Sequence, residues 1–205
     1  MLECPTSVER LVRFSPFWRA GAHLTLGIEH ILTGIDHLLF VLCLLILVDG
    51  WRRLVTTVSA FTVAHSLTLG AATLGLATVP QAPVEAVIAL SIVFVAGEIV
   101  HGVRGRPGIT ARAPWAIAFV FGLLHGFGFA GALLEAGLPD NAVPLALLFF
   151  NLGVEVGQLA FVVLVLVALQ AWRRLPLRAP AWTSAAVAYL VGSVAMYWTI
   201  ERTIG

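Results

Sequence analysis

Read as a pattern of hydrophobic and polar positions, the chain falls into six long apolar stretches separated by short arginine or proline clusters. They run roughly over 24–48, 54–78, 84–103, 114–136, 142–170 and 180–201. Each is far longer than the ~10 residues of a barrel strand and none alternates with period two, so the pattern predicts helices. At about 20 apolar residues per crossing, the reading is an all-α polytopic membrane helix bundle of six transmembrane helices, with room for a seventh. Residues 7–20 differ: Val8, Leu11, Val12, Phe14, Phe17 and Trp18 sit among charges, as in an amphipathic helix lying on the membrane surface. The chain therefore divides into an N-terminal interfacial segment, 1–20, and one transmembrane helical domain, 21–205.

Composition strengthens this picture. Of the 205 residues, 60% are hydrophobic and 11% charged, against about 25% charged in a soluble domain, and the mean hydropathy is +0.97. Twelve basic residues, all arginine, balance eleven acidic ones, and a net charge of +1 leaves no electrostatic footprint for nucleic acid. Cys4 and Cys43 are too far apart in sequence to suggest a thiolate metal site. Residues 1–20 lack the apolar core of a signal peptide.

Loop charge gives an orientation. Arg52 and Arg53, then Arg104, Arg106 and Arg112, then Arg173, Arg174 and Arg178 follow the odd-numbered stretches, while 79–83 and 137–141 carry no arginine. The positive-inside rule makes the arginine-bearing loops cytoplasmic and puts both termini outside, as expected for an integral protein of a bacterial inner membrane. Arg10, Arg13 and Arg19 disagree. Either the amphipathic segment lies on the outer surface, or residues 20–48 form a broken helix with its break at Thr33 and Gly34, which places the N-terminus inside.

Ionisable side chains near the bilayer centre cost about 2.5–3.5 kcal/mol on insertion scales, so each needs a reason to be there. At about 1.5 Å per residue, Asp36, His37, His65, His125 and Glu155 all count to near the midplane, from four different helices. Imidazole and carboxylate together suit a divalent transition metal such as nickel or zinc, whereas calcium or magnesium prefers oxygen alone. His23, His30 and His37 repeat every seven residues and share a helix face, with His30 about two turns before His37 as a step on the way in and Glu29 beside it. Each feature has a simpler reading. A single histidine can hydrogen-bond a neighbouring helix, Asn151, Glu155 and Gln158 can be polar glue, and Gly122 with Gly126 forms a GxxxG packing pair. Five ionisable groups at one depth are harder to explain as packing.

Four blocks carry a resemblance: GIEHILTGIDHLLFVL at 27–42, AFTVAHSLTL at 60–69, FGLLHGFGFAGAL at 121–133 and FNLGVEVGQLAFV at 150–162. The first contains a histidine, five residues, then aspartate and histidine. Together they resemble the second subgroup of the HupE/UreJ family of membrane proteins. The resemblance implies a multi-spanning inner-membrane protein, an accessory to hydrogenase or urease, with nickel permeation as its role and with His30, Asp36 and His37 important for nickel. The family's later His-Gly motif is kept at His125 and Gly126, but Phe127, Gly128, Phe129 and Ala130 follow where polar ligands are expected.

Two functions stand side by side. In the first, a permease or accessory protein binds a divalent transition metal, nickel foremost, through His30, Asp36, His37, His65, His125 and Glu155. Its uptake falls as pH drops through the histidine range, because protons compete for the ligands. In the second, a zinc-dependent intramembrane hydrolase attacks a lipid-like amide or ester, with Glu155 or Asp36 as general base. The partners are the bilayer, the metal ion and, for the second reading, a lipid substrate.

Overall fold

The computed structural model describes residues 16–77, 79–128, 143–174, 180 and 182–204. All regular elements among them are helices: α1 Pro16–Thr33, α2 Ile35–Leu47, α3 Trp51–Thr73, α4 Gln81–Val103, α5 Ile109–Arg112, α6 Pro114–Gly128, α7 Val143–Arg173 and α8 Thr183–Ile204. The all-helical membrane bundle expected from the pattern is thus present. The segment before Pro16, with most of the expected interfacial helix, lies outside the described residues.

Of the six expected spans, the described residues show four, or five when a broken pair counts as one. α3, α4, α7 and α8 are each long and apolar enough to cross a membrane, and the fifth crossing is α1 with α2. The stretch 114–136 is described only as the 15 residues of α6, about 22 Å of helix against a ~30 Å hydrocarbon layer. Its continuation lies outside the described residues.

The stretch 24–48 is not one helix but two, bent by 73° at Gly34. The amide of Gly34 still closes the last turn of α1 on the His30 carbonyl (2.9 Å), and its own carbonyl then accepts from the His37 and Leu38 amides to start α2. A Cβ at position 34 would meet the His30 carbonyl oxygen at 2.8 Å and His37 Nδ1 at 2.9 Å. Glycine is required because the His37 ring folds back over the break. Irregular backbone is tolerated at membrane depth where protein surrounds it.

Three close helix pairs build the bundle: α3 with α6, α4 with α8 and α1 with α7. The largest apolar cluster joins α2, α3, α4, α6 and α8 through Phe40, Leu44, Phe61, Ile92, Val95, Ala118 and Val191. A second, with Ile31, Leu69, Phe150 and Val154, seats α1 and α3 on α7. Small residues allow the approach. Gly27 lies against the Phe150 carbonyl, Gly153 against the Leu24 carbonyl, and Gly122 and Gly126 against the Phe61 and His65 carbonyls of α3. The GxxxG pair is therefore a packing surface. Outward, Leu148, Leu164, Val167, Leu190 and Tyr197 are more than half exposed, as a lipid-facing surface requires.

The chain after α4 is pinned by Glu98, whose carboxylate accepts the Thr110 amide (2.8 Å) and packs against Gly108. His101 Nδ1 stands 4.0 Å from the same carboxylate. Both groups serve this turn.

Gly27→Ala should separate α1 from α7. Overpacking of this kind costs about 1–3 kcal/mol, a fall of about 3–10 °C in thermal midpoint for a chain of this size. Gly97→Ala, with nothing within 4 Å of the added carbon, should leave the midpoint unchanged or raise it. Thermal unfolding in detergent reads both, and equal midpoints for the two variants would contradict the packing.

Candidate metal centre

Four helices each bring one imidazole to the same place. His30 lies in the last turn of α1, His37 in the first turn of α2, His65 in the middle of α3 and His125 in the last turn of α6. Seven residues of straight helix would hold His30 and His37 about 10.5 Å apart along the axis, yet their ring centroids are 4.9 Å apart. The bend at Gly34 makes the difference, so His30 joins the group instead of standing two turns away. His65 is 6.2 Å from both rings, and His125 is 5.0 Å from His37 on its other side. Phe40, Phe61 and Phe150 wall the group.

One ligating nitrogen from each of His30, His37 and His65 lies within 4.8 Å of the other two. A tetrahedral ion with nitrogen donors at about 2.0–2.1 Å spaces them roughly 3.4 Å apart, so small rotations close the set.

Neighbouring hydrogen bonds choose the tautomers. Asn151 spends its amide N–H on the Leu147 carbonyl (2.8 Å) and turns its oxygen to His65 Nδ1 at 3.2 Å. His65 therefore donates from Nδ1 and keeps a lone pair on Nε2, which is buried with no hydrogen-bond partner among the described residues. Ser91 donates its hydroxyl to the Ile88 carbonyl (2.6 Å), so its oxygen accepts from His125 Nε2 at 3.1 Å. The lone pair of His125 is left on Nδ1, and among the described residues neither it nor either nitrogen of His37 has a partner. A histidine whose far nitrogen donates to a fixed acceptor is the usual arrangement of a metal ligand. Buried polar atoms without partners are costly, and a shared cation would remove that cost.

The two carboxylates are engaged elsewhere. Asp36 Oδ2 pairs with Arg202 Nη2 at 2.9 Å, while its Oδ1 is buried and unpartnered. Glu155 accepts the Ser59 hydroxyl at 2.6 Å. With Thr62 donating to Gln158 at 3.0 Å and with the His65–Asn151 contact, this forms a polar row between α3 and α7. Asn151, Glu155 and Gln158 thus join helices, and through Asn151 the same row orients a ligating ring. Glu29 is exposed and His23 half-buried on α1.

Sequence reasoning missed Ser91 and Arg202. Ser91 reads as one more small residue in an apolar segment. Arg202 sits just past the expected end of its stretch, where a cation ordinarily complements the helix dipole, and its partner lies 166 residues away.

The Thr62–Gln158 bond can be checked by a double-mutant cycle with Thr62→Val and Gln158→Leu in reversible detergent unfolding. The expected coupling is about 0.6 kcal/mol, as for other interhelical bonds in membranes; additive effects would contradict the contact.

A family model described as HupE / UreJ protein matches residues 9–202, nearly the whole chain. No curated protein and no solved structure matches it.

Proposed function

The chain belongs to the HupE/UreJ family of metal transport or accessory proteins, and on that premise we propose that it moves or delivers a divalent transition metal, nickel foremost, through its bundle. The observation that carries this reading is the convergence of imidazoles, two of which have lone pairs directed by Asn151 and Ser91 and left without a partner among the described residues. His30, His37 and His65 hold the ion, with His125 beside His37 as the next position. Asp36 stands on one approach, and Glu155 lies within the polar row between α3 and α7.

A carried ion has to leave as well as bind. Neutral imidazoles ligate nickel or zinc without the charge that makes thiolate sites tight, which favours passage over storage. The arginine-rich ends of α3, α4 and α7 lie inside under the positive-inside rule. Asp36, Arg202 and the start of α4 then form the outer mouth in an inner membrane, with the C-terminus outside. No GxxxxGK[ST] motif occurs in the chain, so the driving force is the membrane potential, a proton gradient or trapping inside.

Purified protein in proteoliposomes should take up radioactive Ni²⁺ faster than empty vesicles and bind it stoichiometrically in metal analysis. His37→Ala and His65→Ala should abolish both, and Asn151→Leu, which removes only the group orienting His65, should weaken binding about 10- to 100-fold. Metal retained without flux would favour the zinc hydrolase instead; no metal bound by the wild type would reject the site.

A further inference from the structure

Among the described residues, the side-chain contact that spans the most sequence ends on the residue before His37. Arg202, in the last turn of α8, reaches across the bundle to Asp36 in the first turn of α2 at 2.9 Å, with the two side chains only 23% and 20% exposed. Its other arm donates to the Glu85 carbonyl in α4 at 3.1 Å, and its guanidinium carbon stands 5.5 Å from the Trp198 ring centroid. One side chain therefore ties three helices at the end of the bundle where α4 begins.

The pairing is incomplete in an informative way. A guanidinium normally grips a carboxylate with both arms, but here one arm is diverted to a backbone carbonyl. Among the described residues Asp36 Oδ1 is left buried with no partner, one residue from His37, whose ring nitrogens also lack partners there. Asp36 is thus held by a cation that satisfies half of it, one residue along α2 from a neutral ligand that would help gather a second cation. Both cations would compete for one carboxylate, and their like charges repel at short range in a medium that screens poorly.

From this arrangement, and resting on the metal-handling reading above, we infer that Arg202 is a resident counter-ion of Asp36. An incoming divalent cation must displace it, so Arg202 sets how tightly the histidine centre holds its ion. With Arg202 in place the empty site is charge-balanced and closed by the three-helix tie. When the ion binds, Asp36 turns to it and the tie opens. When Arg202 recovers Asp36, the ion loses that carboxylate and leaves. Arg202 acts through Asp36 and is a positioning residue, distinct from the ligands.

The test is Ni²⁺ affinity by calorimetry on the full chain in detergent, for wild type, Arg202→Gln, Asp36→Asn and the double variant. Removing the competing charge should tighten binding by about tenfold, within the usual range of coupled sites. Asp36→Asn should weaken it, and in that background Arg202→Gln should no longer tighten it, a non-additivity that a merely structural arginine would not produce. Unchanged or weaker binding by a folded Arg202→Gln protein, or equal tightening with and without Asp36, would overturn the inference and leave the metal site standing. A wild type that binds no Ni²⁺ would overturn both. If Arg202→Gln fails to fold, Arg202→Lys replaces it: a point charge without the fork should tighten binding about threefold, and unchanged affinity would again overturn the inference.

Discussion

The constraint on which the site depends is the 73° break at Gly34. A continuous helix would spread His30 and His37 over two turns, beyond the reach of one ion. The break folds the second ring back toward the first, and the same turn sends Asp36, the residue before it, toward α8. That the chain can do this inside a bilayer follows from two local facts: the Gly34 amide and carbonyl stay hydrogen-bonded to His30, His37 and Leu38, and α3, α4 and α7 pack around α1 and α2.

Around the break, polar groups in an apolar medium are sorted by their partners. Asn151 and Ser91 each hold one imidazole nitrogen and leave the other bare. Thr62 and Ser59 engage Gln158 and Glu155 between α3 and α7. Arg202 takes half of Asp36. Among the described residues, buried side-chain atoms without a partner gather chiefly at His37, His65, His125 and Asp36. In a stable bundle such a concentration is costly, and its location marks where function outweighs packing. The glycine contacts of α1 with α7 and of α6 with α3 matter for the same reason, because they set the depth at which His30 and His125 arrive.

Much of this was legible beforehand. The helical class followed from the length of the apolar stretches, since only helices satisfy their own backbone over twenty residues of hydrocarbon. His37, His65 and His125 were expected at one depth from three separate spans, and their rings do lie together; His30, expected two turns away, joins them only through the bend. The packing role of Gly122 and Gly126 was legible from their spacing alone. The bend within 24–48 was legible only as an alternative, a broken helix at Thr33 and Gly34, because hydropathy records how apolar a stretch is and says little about a bend within it.

Sequence by itself determined the medium, the helical class, the family blocks and the set of residues able to ligate a metal, because these depend on local composition and on depth counted along one chain. Tertiary structure alone decided how those residues divide: imidazoles grouped, Asp36 turned to Arg202, Glu155 turned to Ser59. Such choices depend on distances between helices far apart in sequence and on which partner takes each lone pair. No pattern along a single strand of residues carries that information.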